Sequence, residues 1–192
     1  MHPVKLISRE IAKNLVSSFE KIDDNQIEKA VDEILKAKKI FVLGVGHSGL
    51  IGKILAMKLA HLGFSSYVVG YVTTPPLSES DLLIAISQSG ETSTVVTLAQ
   101  KAKKLKGRIL AITSHPNSTL SEIAQISLIV PAKIEQINFP IFALLGDEEH
   151  KNTSGALFGI NLFALFYGLI CELAKRTGQS PKEIDLRHAN IE

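Results

Sequence analysis

Cysteine is nearly absent from this 192-residue chain: Cys171 stands alone, which excludes an intramolecular disulfide framework and fits a reducing interior. Charge of one sign is scarce too. A net charge of +2 is spread along the sequence, so neither nucleic acid nor an acidic membrane is strongly attracted, and the expected partner is a small molecule. The first residues, "MHPVKLISREIAKNLVSSFEK", lack the basic start, apolar core and small-residue cleavage site of a signal peptide. Ile7, Ile11, Leu15 and Phe19 recur there every four residues, predicting an amphipathic helix and a cytoplasmic location. There is no low-complexity segment and no internal repeat.

What is present is enough apolar material for one good core. With 45% hydrophobic residues in 192, one domain spanning 1–192 is expected. Helical periodicity covers about 5–19 and 24–37, the second with Ile27, Val31, Ile34 and Leu35 on one face. The pattern then changes. "KIFVLG", "SSYVVG", "DLLIAIS", "RILAITS" and "ISLIVP" are short, uniformly apolar runs, which predict strands of a parallel sheet covered on both faces. Between them lie helical stretches at 48–62, with Ile51, Leu55 and Leu59, and at 92–106, with Val95, Leu98, Ala99, Ala102 and Leu105 inward. Strand alternating with helix predicts an α/β fold, a doubly wound three-layer α/β/α sandwich.

Residues 152–171 carry no charged side chain and approach membrane-spanning length. Three glycines, Asn161 and the lack of basic flanks on one side argue against a membrane span. A helix apolar all round in a soluble protein is buried on all sides, so this segment predicts burial in the core or against another subunit, and hence self-association into a dimer or tetramer. The lysine clusters "KAKK" (36–39) and "KAKKLKGR" (101–108) close two helices, where they complement the dipole and solvate an outer face, with no nucleic-acid role.

In doubly wound sheets the ligand sits beyond the carboxyl ends of the strands. Three such ends are rich in glycine or hydroxyls. The first is "GVGHSG" (44–49), where Gly44, Gly46 and Gly49 allow a tight turn and Ser48 is expected to cap the next helix. The second is "SQSGETS" (87–93), with Ser87, Ser89, Thr92 and Ser93 around Gly90; the third is "SHPNSTLSE", in which Thr119 and Glu122 fit a capping box. A dinucleotide fingerprint would need a carboxylate at the tip of the second strand, and "YVVGYVTTPP" has none there. A Walker lysine is missing, as is a Gly-x-Ser-x-Gly nucleophile elbow in "SQSGE". A pocket of amides and hydroxyls with little fixed positive charge suits a phosphate monoester on a sugar.

"GVGHSG", followed some forty residues later by "ISQSGET", resembles the sugar isomerase (SIS) domain family over roughly residues 24–131. "HLGFSSYVVG", "TTPP" and the C-terminal "RHANIE" make the chain most similar to the 6-phospho-3-hexuloisomerase branch, with arabinose 5-phosphate isomerases and non-catalytic phosphosugar-binding modules as alternatives. The resemblance implies a five-stranded parallel, flavodoxin-like sheet and a phosphosugar ligand. It also implies isomerisation through an enediol, with no metal or cofactor required. Gly46, His47, Ser48, Ser87, Gln88, Ser89 and Thr92 are then the expected substrate-binding residues. Where the family pattern has Arg or Lys this chain has His47, and the resemblance puts Gly159 at the position of a family glutamate, with Glu148 or Glu149 as a candidate source of the missing carboxylate.

An enediol mechanism needs a base to carry a proton between carbons and a donor to manage two oxygens. Glu91 is one candidate, although a glutamate in a first helical turn is also favoured by the dipole alone. His188 is the other. Ser180, Pro181 and Glu183 predict a short helix that ends near it, and the resemblance implies delivery of that histidine across a subunit interface. His61 and His115 read as surface or turn residues.

Overall fold

A computed structural model of the protein describes residues 2–132 and 154–191. Five short strands, β1 (Ile40–Gly44), β2 (Ser66–Val68), β3 (Leu82–Ile86), β4 (Arg108–Thr113) and β5 (Ile126–Ile129), form one sheet in the order β2-β1-β3-β4-β5. Every pair is parallel. Parallel neighbours need crossovers: α3 (Gly46–His61) leads from β1 to β2, α4 (Ser93–Lys104) from β3 to β4, and α5 (Thr119–Ile123) from β4 to β5. Two helices, α1 (Pro3–Phe19) and α2 (Asp24–Lys36), precede the sheet; α6 (Ser154–Thr177) and α7 (Pro181–Asp185) follow it.

The uniform apolarity of the strands is explained by which residue faces which layer. Ile40, Val42, Leu82, Ile84, Ile86, Leu110 and Ile112 pack into one cluster with α2, α3 and α6. Their neighbours Phe41, Leu43, Leu83, Ala85, Ile109 and Ala111 pack into a second with α4 and α5. Alternate residues along a strand point to opposite faces, and here both faces are covered. Each buried Leu or Ile side chain contributes about 1.5–3 kcal/mol. The result is the three-layer sandwich that the sequence predicts, with one thick helical layer and one thin.

Helix α6 is covered on one side by the core of the single chain: Leu157, Phe158, Leu162, Leu165, Phe166, Leu169 and Leu173 are buried, whereas Phe163, Tyr167 and Cys171 are exposed. It is long and apolar enough to cross a membrane by length and composition, yet half of that window is buried inside the protein. Leu105 is exposed rather than inward, because α4 stops at Lys104 and the next residue leaves the helical stripe.

The basic clusters do more than solvate a surface. Arg108 pairs with Glu33 of α2, and Lys39 pairs at 3.2 Å with Asp81, whose side chain is fully buried just before β3. Asp81 also accepts hydrogen bonds from the Lys39 amide (3.1 Å), the Ser78 amide (2.7 Å) and the Ser78 hydroxyl (2.8 Å). Burial pushes this carboxyl up, but the bonds from Ser78 and Lys39 and the lysine's charge together outweigh it and hold the group below the usual range. The carboxylate thereby ties together the residues that lead into β1 and β3, which run side by side.

Replacing Asp81 with Ala should cost about 3 kcal/mol, because two amides, a hydroxyl and an ammonium lose a buried acceptor. Urea unfolding measures this, and a loss under about 1 kcal/mol would contradict the assigned role. Since the folded pKa is depressed, the contribution is in force above the unfolded carboxyl's value of about 3.9 and disappears as pH falls through the folded value.

Candidate functional site

Strands β1 and β3 are neighbours, with Gly44 opposite Ile86, yet the chain leaves them in opposite directions across the sheet, from β1 to β2 and from β3 to β4. Loops 44–49 and 87–92 therefore part at this point, one toward each helical layer. A crevice beyond the carboxyl ends follows from the topology.

Helix starts make the same location distinctive. Of the six helices whose cap residue is described, four are closed by a side chain: α1 by His2, α2 by Asp23, α5 by Ser118 and α7 by Ser180. The other two, α3 after Val45 and α4 after Thr92, have no side-chain cap and no acidic residue in the first turn. These are the two helices that leave β1 and β3. First-turn amides have no partner within a helix, and the positive end of the dipole lies among them. Two such ends at one crevice suit an anion.

Loop 44–49 is tighter than the sequence suggests. Ser48 is not the cap: Gly46 takes φ +57, so α3 begins at Gly46 and Ser48, half-buried, falls inside the first turn. A methyl group on Gly49 would lie 2.7 Å from the Gly44 carbonyl oxygen, so glycine is required where strand and helix touch. His47 is exposed, and its ring lies against Gly159 of α6.

Loop 87–92 is held by its own hydroxyls. Ser87 is buried; its Oγ bonds Thr92 Oγ1 at 2.8 Å and accepts from the Gly90 amide at 3.1 Å. Ser89 Oγ accepts from the Glu91 amide at 3.2 Å. Gly90, at φ +69, passes so close to Ser118 that a side chain there would collide with it and crowd Thr113. The Gln88 carbonyl accepts from Thr113 Oγ1 (3.1 Å) and the Ser114 amide (3.0 Å). His115 Nδ1 is 3.0 Å from the same oxygen, and because a carbonyl can only accept, that nitrogen carries the proton.

Glu91 is engaged as well. Its carboxylate accepts from the Thr119 amide and hydroxyl, both at 2.7 Å. Those bonds, with the His115 charge adding to them, hold its pKa below the usual range against a smaller opposing effect of burial. The expected capping box at Thr119 and Glu122 is displaced by one residue, because Ser118 Oγ accepts from the Ser121 amide and is the cap. Thr119 is thereby left to bind Glu91. Sequence reasoning missed Thr113, His115, Ser118 and Thr119 as supports of this loop; the hydroxyl-rich turn after β4 was the available signal.

His188 lies elsewhere. Its ring lies against that of His61, tilted by 39° with centroids 4.0 Å apart, and Arg187 donates to the His61 carbonyl at 3.2 Å. Burial, followed by the His188 and Lys58 charges, lowers the His61 pKa. His61 ends α3, whose first turn is at the crevice, and sixteen helical residues span roughly 24 Å. Within one chain His188 and the two loops are at opposite ends of that helix. Glu148 and Glu149 lie outside the described residues. An open cavity of about 310 Å³ sits between α3 and the β2 edge, lined in part by Lys53, Met57, Tyr67 and Tyr71, and includes none of the loop residues.

Known proteins point in the same direction. Residues 33–145 match the SIS domain model. The chain is 34% identical to the 3-hexulose-6-phosphate isomerase of Bacillus subtilis, over 95% of this chain and 96% of that one. It is 38% identical to the 3-hexulose-6-phosphate isomerase of Methanocaldococcus jannaschii, over 87% and 84%. A crystal structure of a Methanococcus jannaschii protein, with an inferred function of 3-hexulose-6-phosphate isomerase, superimposes with a TM-score of 0.76 at 34% identity, covering 100% of both chains.

The Glu91 clasp has a measurable signature. Its depressed pKa means that the carboxylate stays bound to Thr119 below the ordinary range and releases only as pH falls through that lowered value. A carbon-13 NMR titration of the Glu91 carboxyl should give a midpoint below about 4.3, the unperturbed value; a midpoint at or above it would contradict the clasp.

Proposed function

We propose that this chain, which belongs to the SIS domain family, is a phosphosugar isomerase that interconverts a 3-hexulose 6-phosphate and fructose 6-phosphate without metal or cofactor. The observation that carries this reading is the pair of uncapped helix starts at the β1/β3 crevice. The names of the relatives support the substrate class. The phosphate binds at the first turns of α3 and α4, with Gly46, His47, Ser48, Ser87, Gln88, Ser89 and Thr92 around it. Anchoring that group fixes the sugar carbons relative to the protein.

A base removes the proton on C2 of the 3-ketose, the enediol forms, and the proton returns to C3 as the carbonyl moves to C2. Glu91 is a weak candidate for that base, since its lowered pKa and two bonds to Thr119 favour a structural role. His188 serves instead, from a second copy of the chain. Exposed Leu50 and Met57 on α3, and Phe163 and Tyr167 on α6, support self-association of a single-domain, cytoplasmic protein. The engagement of Glu91 also favours a second reading, a non-catalytic phosphosugar-binding module.

Turnover of 3-hexulose 6-phosphate separates the two: binding without product sinks the isomerase. His188→Ala should lower kcat by about 10²–10⁴-fold with much less change in affinity. Intact turnover in that variant removes His188 from the mechanism. Mixing His188→Ala chains with Gly46→Val chains should restore activity that neither has alone, and no recovery would exclude action across copies.

A further inference from the structure

Gly159 occupies the interior of α6, where glycine weakens a helix relative to alanine. Its backbone does not require glycine, because its φ is not positive. What fills the space of a side chain is the His47 imidazole: a methyl group on Gly159 would fall 2.5 Å from Nδ1 and 2.9 Å from Nε2. Gly159 is buried and His47 is exposed, so the ring covers the bare helix backbone from the solvent side. The contact joins two parts of the fold that lie far apart in the sequence.

We infer that Gly159 is a positioning residue for the phosphosugar site, its missing side chain providing the seat that fixes the His47 imidazole beside the uncapped first turn of α3 as a hydrogen-bond donor to the ligand's phosphate. This rests on the functional reading above. His47 belongs to that first turn, so a ring held in place adds a donor to the amides that already favour an anion. A ring free to rotate would lose conformational entropy on binding; one seated on α6 has lost it already.

Gly168 provides the control. It lies in the same helix, and a methyl group there would meet nothing within 4 Å. Both Gly159→Ala and Gly168→Ala should keep or raise the melting temperature, because alanine favours helix. Only Gly159→Ala should displace the exposed His47 ring, weakening fructose 6-phosphate affinity about ten- to a hundredfold by calorimetry, whereas Gly168→Ala leaves it unchanged. In a His47→Ala background, Gly159→Ala should add no further loss. Unchanged affinity in Gly159→Ala, or a full loss that persists without His47, overturns the inference. Wild-type protein that binds no phosphosugar overturns both this and the functional reading, while binding without turnover sinks only the isomerase.

Discussion

Two helices whose first-turn amides lack side-chain caps are the constraint on which the rest depends. A helix start left open costs stability, because capping typically contributes about 1 kcal/mol. Four other described starts in this protein are capped, so the sequence is able to supply caps. The exceptions are both at the one place where the parallel sheet reverses its direction of winding. Fold and site are therefore linked: the order β2-β1-β3-β4-β5 separates α3 from α4 and leaves their positive ends at one crevice.

Holding those ends in position falls to neighbouring elements. Asp81 ties together the residues leading into β1 and β3 at the far end of the sheet. At the near end, the Gln88 carbonyl is gripped from β4 and the turn after it, while the Gly90 carbonyl accepts from the Leu120 amide and Glu91 binds Thr119. The second loop is thus attached along three of its residues to β4, to α5 and to the turn between them. Hydroxyls that satisfy one another inside the loop, as Ser87 and Thr92 do, keep its backbone in shape. Preorganised amides of this kind need little rearrangement to meet an anion.

Most of the sheet was legible because period and burial agree. Uniformly apolar runs at 40–44, 82–86 and 108–113 have the composition of strands covered twice, and "GVGHSG" marked the crossing of β1 into α3. Caps were less legible, since a hydroxyl next to a helix start looks the same whether it caps or not. The Ser48 and Thr119 expectations missed for that reason, each by a shift of the helix start that a single glycine or serine decides. Lys39 and Asp81 were missed because pairing between residues 42 apart leaves no periodic trace. Side-chain partners such as Glu91 with Thr119 depend on tertiary register, which spacing along the chain does not contain.

His47 and Gly159, far apart in the sequence, touch each other in the fold. Any side chain at 159 would require the space that the imidazole fills, so the residue types at 47 and 159 are sterically conditional on one another. Residues in contact couple, and a change at either is then felt at the other. An imidazole in the loop together with a bare helix backbone is the solution this chain has to that packing problem. It brings no fixed charge to α6 at this point, so on the proposed reading an anion meets the helix dipoles, the loop amides and one ring. On that reading the placement of the ring is the quantity on which ligand recognition by this face of the crevice turns.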